Sequence, residues 1–429
     1  MKKILIVLFA ITICQYNYAQ YIPYPYAPNT ISTAVPFLNI NPHAQSMGIA
    51  DIGVVAASGY YESGFTQNPA LLARNEKVMG GKISYKPWLR HLVPDINIWD
   101  ANLYYSINKK ITIGYSFNFF SLGSITFTDN NAQKIFTADP REYYHNFRYA
   151  QALSPDFSLG VGLKYVVSDL TNDQIINGKS THKGRALAAD IGVDYRKEFL
   201  KRETSFWRLD IGASFQNIGN KIKYVDDDSV NHNFLPMQLA LGAMITYNKD
   251  LGKKVRYAID IAYQAEKLLV PTPPIYATDP YSGHILYDTY GNPLIAQGKD
   301  PNVSVLKAIF QSFNDAPGGG AEERAEIIHK LGMENRITFN KNLTVALRLG
   351  YFKENPLKGD REYFNAGFGI RYKFIYLDYA MILRYKDGLN ANGKPNYVSG
   401  FKYTYASCIT LGFKYTFKEK AVSTSDVIN

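Results

Sequence analysis

The sequence predicts an all-β protein, a transmembrane antiparallel β-barrel of about 14 strands preceded by an N-terminal plug segment. Three observations lead there. The chain opens like an exported protein, its strand-like alternation runs almost unbroken from Val78 to Phe417, and no stretch beyond the leader is apolar enough for a membrane-spanning helix. With that helix excluded, a closed barrel is the remaining way to pair every backbone donor and acceptor inside a bilayer.

Met1 to Gln20 carries Lys2 and Lys3, an apolar run from Ile4 to Ile13 and then Asn17-Tyr18-Ala19, the layout of a secretory signal peptide with cleavage after Ala19. The run is shorter than the roughly 20 residues of a spanning helix. Ile13 before Cys14 is not the small residue that lipoprotein processing requires. Cleavage leaves Cys408 as the one cysteine, so no internal disulfide is possible and the fold rests on burial. The net charge of +10 becomes +8 once Lys2 and Lys3 are removed. An exported chain with lysines spread over strands and turns does not suit nucleic acid, whereas contact with lipid phosphates or an acidic partner fits. The 34 Tyr and 24 Phe suit aromatic girdles at the two membrane interfaces.

The chain divides into a signal peptide (1–19), a plug segment (20–77), a barrel (78–417) with a long extracellular loop (267–327), and a tail (418–429). The plug segment shows no strand periodicity. It begins with the Pro-rich Tyr21-Ile22-Pro23-Tyr24-Pro25-Tyr26-Ala27-Pro28, and Asn68-Pro69-Ala70-Leu71-Leu72 reads as a cap opening a short helix.

Side chains of a strand alternate between two faces. In the last strand Ile409, Leu411, Phe413, Tyr415 and Phe417 form an apolar face opposite Thr410, Gly412, Lys414 and Thr416. Ile111 to Phe119, Phe157 to Tyr165, Leu209 to Gln216, Val255 to Gln264, Leu343 to Gly350 and Phe364 to Arg371 repeat the pattern. Charged residues share a face with glycine and avoid the aliphatic face, which predicts a lumen of polar and small side chains and a lipid-facing apolar wall. Strands are expected near 78–86, 95–107, 110–122, 142–153, 157–168, 184–197, 206–218, 234–248, 254–266, 328–339, 342–353, 362–373, 374–386 and 401–417. Tight turns at 108–110, 154–156 and 340–342 belong on the periplasmic side, and long connections at 123–141, 169–183, 219–233 and 267–327 belong outside.

The longest loop is where function is expected. Lys267 to Pro274 is a stiff apolar ramp, and Val303 to Phe313 an amphipathic helix with Leu306, Ile309, Phe310 and Phe313 on one side. This apolar stretch is either a lid packing on itself over the mouth or a docking surface for another protein. Leu268, Leu269, Val270, Pro271, Phe310 and Phe313 are the candidate partner-binding residues.

No catalytic, cofactor or metal site is expected. The seven histidines, at 43, 91, 145, 182, 232, 284 and 329, form no close pair, and each is expected in a loop or the lumen. Gly178-Lys179-Ser180 lacks the upstream glycine of a phosphate-binding loop, since position 173 is Asp. Gly318-Gly319-Gly320 is expected as a flexible break, and Asp226-Asp227-Asp228 as a solvated loop or a calcium ligand. No Gly-x-Ser-x-Gly elbow marks a nucleophile.

Several stretches together resemble the PorV family of type IX secretion outer-membrane proteins of Bacteroidota, within the FadL-like barrel superfamily. They are Ala34-Val35-Pro36-Phe37-Leu38, Met47-Gly48, Asn68-Pro69-Ala70, Ser84 to Arg90 with Leu92-Val93-Pro94-Asp95, Phe120-Ser121-Leu122-Gly123, Lys267 to Pro274, and Ser312 to Gly319 with Glu322-Glu323. His43-Ala44-Gln45-Ser46 and the tail Lys418 to Asn429 depart from the family pattern. The resemblance implies a fourteen-stranded plugged barrel acting as a non-enzymatic shuttle. It would dock on the SprA/Sov-like translocon barrel, receive cargo by its C-terminal signal domain and deliver it to a sortase complex of PorU, PorQ and PorZ. The wider superfamily implies an alternative, a transporter of hydrophobic small molecules with an apolar pocket beside the plug.

Overall fold

A computed structural model describes residues 29–56, 64–65, 67–73, 77–88, 95–128, 131–171, 173–176, 179–225, 233–383, 386–389, 395–397 and 404–417. The signal peptide, the Pro-rich start of the plug segment, Asp226 to Asp228 and the tail lie outside them, as does Gly178.

Fourteen antiparallel strands close into one barrel. They are β1 (Val78–Pro87), β2 (Asn97–Ser106), β3 (Ile111–Ser121), β4 (Arg141–Ala152), β5 (Phe157–Asp169), β6 (Gly184–Phe199) and β7 (Ser205–Gly219), followed by β8 (Gln238–Asp250), β9 (Val255–Leu268), β10 (Ile328–Phe339), β11 (Leu343–Lys353), β12 (Glu362–Tyr372), β13 (Ile375–Leu383) and β14 (Thr404–Thr416). Each pairs with its chain neighbour, and β1 meets β14 in a register running from Val78 opposite Thr416 to Tyr85 opposite Ile409, so no edge remains. One strand starts later than its alternation suggests. Phe234 to Pro236 turn into the mouth instead of joining the ladder, because Pro236 lacks a ladder donor and Phe234 and Leu235 are drawn into apolar clusters there.

The two faces of the wall are inverted relative to a soluble protein. Leu163 and Leu187 are 66% and 67% exposed, and Ile83, Leu103, Phe147 and Leu347 stand out in the same way. Such an apolar surface is stable only against lipid, which places the barrel in the outer membrane. Aromatic pairs mark both rims of the belt: Tyr85 with Trp99 (ring centroids 4.5 Å apart) at the long-loop end, and Trp207 with Tyr247 (4.9 Å) at the short-turn end. His145 and His329 belong to this outer face rather than to the lumen or a loop. Each shares a hydrogen bond with an outward tyrosine, Tyr115 at 2.8 Å and Tyr263 at 2.6 Å. Strand parity decides this, because both fall on the apolar side of their strands.

Inward, the wall is charged and glycine-rich, and the described plug residues lie against it. Asn29 lies at the long-loop mouth, where its N–H donates to Leu357 O, while Ala73 packs with Val78 and Tyr104 at the turn end. The plug therefore runs the length of the lumen. It forms a 3-10 turn (Pro36–Asn39), one turn of α-helix (Ala44–Met47) and a second 3-10 turn (Pro69–Leu72). Asn68 caps the last one as expected, its side-chain oxygen accepting from Ala70 N at 3.1 Å. The Asn68 amide also donates to Val54 O and Val193 O, tying plug to plug and plug to wall.

Lumenal glycines give the plug its room. A Cβ on Gly212 would sit 2.1 Å from Val54 O, one on Gly160 2.4 Å from Ala70 N, and one on Gly350 2.2 Å from Ala50 N. Between these contacts the polar wall side chains reach plug groups or one another. Gln264 Oε1 accepts the N–H groups of Gly53 and Val54 at 3.0 Å each, and His43 lies 3.0 Å from Asp100. Arg148 and Lys164 flank the fully buried Asp190 at 2.7 and 2.9 Å, and Arg148 also donates to Gly64 O. Arg348 bridges Glu334 and Asp378 at 2.5 and 2.7 Å.

Two outcomes follow. Gly212→Leu should destabilise the folded barrel by roughly 1–3 kcal/mol through overpacking, read as a lower temperature for loss of the compact band on heated gels. Ala213→Leu, facing lipid one residue on, should leave that temperature in place. Asp190→Ala should cost about 3–5 kcal/mol because two buried cations lose their counter-charge, measured by urea unfolding in lipid vesicles.

Candidate functional site

The loop after β9 is built from the base upward by ion pairs. Lys267, the penultimate residue of β9, binds Glu323 at 3.1 Å and also Glu326, while Lys358 from the β11–β12 loop binds Glu322 at 2.6 Å and Glu326 at 3.0 Å. Thr272 donates its hydroxyl to Glu326 at 2.6 Å, and the Asn29 amide donates to Pro273 O at 3.0 Å and to Glu322 at 3.1 Å. Glu323 accepts the N–H groups of Asp315 and Ala316, and Glu322 that of Gly318. The two loop stretches, 267–274 and 312–323, thus meet in one clasp that also holds the top of the plug. The triglycine is part of it and not a flexible break. Gly319, at φ +62, opens helix α2 (Gly319–Ala325), a backbone conformation that favours glycine.

The ramp is not an exposed surface. Leu269 and Val270 are buried with Phe234, Met237, Val303, Ala308 and Ile309, and Leu269 N donates to Met237 O at 2.8 Å. Pro271 is also buried, and Leu268 is half-buried at the end of β9. Water on one side and the plug's exit on the other leave apolar ramp residues nowhere to go but inward. Helix α1 (Val305–Gln311) lies across them, with Ser304 as its cap. Its apolar residues split between two faces. Ala308 and Ile309 turn down onto the ramp, so Ile309 does not share the face of the others; Leu306, Phe310 and Phe313 remain 69%, 76% and 48% exposed. Of the six candidate residues, three therefore form the underlayer, Leu268 the strand end, and Phe310 and Phe313 the outer face. Lys267 Nζ lies 6.0 Å from the centroid of the Phe313 ring, which links that face to the clasp.

Beyond the helix projects a feature the hydrophobic pattern of the loop does not announce. Ile275–Tyr276 pairs with Ile295–Gln297, and the ribbon continues through bridges between Thr278 and Ile285 and between Tyr287 and Pro293. At its two turns Asp279 accepts the N–H groups of Tyr281 and Ser282, and Asp288 those of Tyr290 and Asn292. These Asx turns hold Tyr281 and Tyr290 out at 97% and 89% exposure. Asp279 to Gly283 and Asp288 to Gly291 are turn signals between short alternating runs and could have marked the ribbon.

Among the described residues, no group of His, Cys, Asp and Glu is arranged to hold a metal ion. The region presents exposed aromatics, Phe310, Phe313, Tyr281 and Tyr290, on a clasped base.

Two carboxylates of the clasp are shifted in opposite directions. Burial, then repulsion from Glu323 and Glu326, pushes Asp315 up to about 6. Glu322 is also penalised by burial, but hydrogen bonds from Lys358, Gly318 N and Asn29 outweigh that and hold it below the usual carboxylate range. A raised carboxyl contributes stability that is present below its ordinary value and lost as pH rises through about 6. Glu322 contributes in the opposite sense, above its ordinary value. The loop should resist proteolysis better at about pH 5 than at about pH 7, and Asp315→Asn should remove that difference.

Comparison with known proteins bears on identity. Solved structures similar to the chain include a Pseudomonas aeruginosa FadL homologue (TM-score 0.42, 11% identity, covering 91% of this chain and 100% of that one). They also include the toluene transporter TodX of P. putida (TM-score 0.41, 9% identity, 83% and 94%) and the toluene transporter TbuX of Ralstonia pickettii (TM-score 0.39, 10% identity, 89% and 99%). No curated protein matches the sequence significantly. The model of the family described as "Type IX secretion system protein PorV" matches residues 26–275, more than half of the 429-residue chain, and ends at the first residue of the exposed ribbon. The chain belongs to the PorV family of type IX secretion system proteins.

Proposed function

We propose that this chain is a non-enzymatic outer-membrane shuttle of the type IX secretion system. It docks on the SprA/Sov-like translocon barrel, binds the C-terminal signal domain of exported cargo, and delivers that cargo to the surface sortase complex of PorU, PorQ and PorZ. The observation that carries this reading is the outer face of helix α1, where Leu306, Phe310 and Phe313 stand exposed on a base that ion pairs hold rigid. A pre-organised aromatic face loses little entropy on binding, and exposed apolar area on a rigid mount is the signature of a protein partner. Leu268, Leu269, Val270 and Pro271 act beneath it by setting its height and tilt.

The packing of the described plug residues against the wall supports the same reading. A shuttle needs no passage through its own barrel. A transporter of hydrophobic small molecules needs an apolar space beside the plug. Near the mouth, where the plug meets β3, β4 and β5, Phe37 and Leu38 already pack with Phe120, Tyr144, Val166 and Leu235.

Replacing Leu306, Phe310 and Phe313 together with Asp should leave the barrel folded and abundant in the outer membrane. Its affinity for the translocon should fall by about 30-fold or more, the loss of ~2 kcal/mol typical of a hot spot. The check is co-purification of the translocon and cargo from outer membranes, with the amount of surface-attached cargo as a second readout. Normal export by the triple variant would overturn the assignment of this face.

A further inference from the structure

A second surface lies on the outer wall near the mouth, beside the apolar cluster that underlies helix α1. The loop between β5 and β6 and the chain leaving β7 run alongside each other there: Thr181 bridges Val225, and His182 N donates to Tyr224 O at 2.9 Å. Between them is a cavity of about 630 Å³ lined by Lys183, Arg185, Lys221 and Lys223, with Asp173 as the one carboxylate in the lining. Asp169, 3.3 Å from Lys183, and Asp300, beside Lys221, face two of these cations from outside it. The four cations outnumber the three carboxylates that face them, so the cavity favours an anion.

Its height on the wall identifies the kind of anion. Arg185 is on the outward face of β6 and follows the alternation of Ile191 and Leu187, both lipid-facing. It stands two residues beyond Leu187, about 7 Å along the strand. The apolar belt therefore ends at Leu187 and the positive charge begins at the next outward position, which is the level of lipid headgroups on the long-loop side of the membrane. Lys221 reaches the same level with its Nζ 4.3 Å from the centroid of the Phe234 ring, so its amine is held over an aromatic face and not extended into solvent. A cavity of this size suits a sugar-phosphate headgroup.

We propose that this cavity binds the phosphorylated headgroup of an outer-leaflet glycolipid, its acyl chains lying down the wall past Leu187. Phosphate oxygens meet Arg185 and the lysine amines, and the sugar occupies the rest of the cavity beside Asn220. Such a lipid would anchor this side of the barrel at a defined depth, using none of Leu306, Phe310 and Phe313, although Lys221 lies over Phe234 in the cluster beneath helix α1. It also gives part of the basic surplus of the chain a specific task.

The test uses the full-length protein purified in a zwitterionic detergent. It is titrated with a diphosphorylated glucosamine-disaccharide lipid, with the same lipid after enzymatic dephosphorylation, with inorganic phosphate, and with poly-glutamate. Bound lipid per chain is counted by native mass spectrometry. The diphosphorylated lipid should bind, the dephosphorylated one should bind about tenfold or more weakly, and inorganic phosphate at equal concentration should not displace it. Replacing Lys183, Arg185, Lys221 and Lys223 with Gln should weaken binding by a similar factor, while Arg at the three lysine positions should retain it. Retention by the arginine variant separates lost charge from lost folding. Equal binding of both lipids, full displacement by inorganic phosphate, or preference for poly-glutamate would each overturn the proposal, pointing to acyl-chain contact, a soluble anion or an acidic protein respectively.

Discussion

The structure depends on one steric constraint: a length of irregular backbone must lie against the inner wall of a closed barrel. Irregular chain is tolerated at membrane depth only when it is enclosed by protein and its polar groups are paired. Gly160, Gly212 and Gly350 let the plug backbone approach to distances at which a single methyl group would collide. The polar residues between them then come within reach of the plug's amides and carbonyls. The same close approach explains why glycine sits on the charged face of so many strands. That face contacts a backbone, so side-chain volume has to vanish where the chain passes and carry hydrogen-bonding groups where it does not.

Charge inside the wall follows the same logic. Asp190 and Arg348 are fully buried and shared between several partners, Asp190 with Arg148, Lys164 and the backbone N–H of Asn217. An isolated ion in this position would be costly, but an ion with several bonded partners becomes a rigid cross-brace between strands. Among the described residues, the plug and the wall are therefore joined by geometry and by electrostatics at once.

At the long-loop rim the plug and the loop are a single unit. Asn29 bonds both Pro273 and Glu322, and Ala34 N donates to Phe234 O, so the first described turns of the plug support the floor on which helix α1 rests. Among the carboxylates around Lys267 and Lys358, Asp315 is pushed up by burial while Glu322 is held down by its bonding partners.

The sequence by itself determined the strands and their two faces. Alternation has a period of two residues, and a side chain's neighbour, lipid or lumen, is decided by that local parity alone. Strand count, the pairing of short turns with long loops, and the Asn68 cap were legible for that reason, and the family resemblance lay in runs such as Lys267 to Pro274. Only the tertiary structure decided what those runs do. Lys267 and Glu323 are far apart in the chain, as are Gln264 and Gly53, and no periodicity links them. The ramp looked exposed because its hydrophobicity is visible while the cover over it is not. Ile309 looked like a companion of Phe310 because a helical stripe tolerates either side until a floor is present to choose one. Parity is a property of consecutive residues; burial of a loop and partnering of a charge are properties of what the closed barrel brings against them.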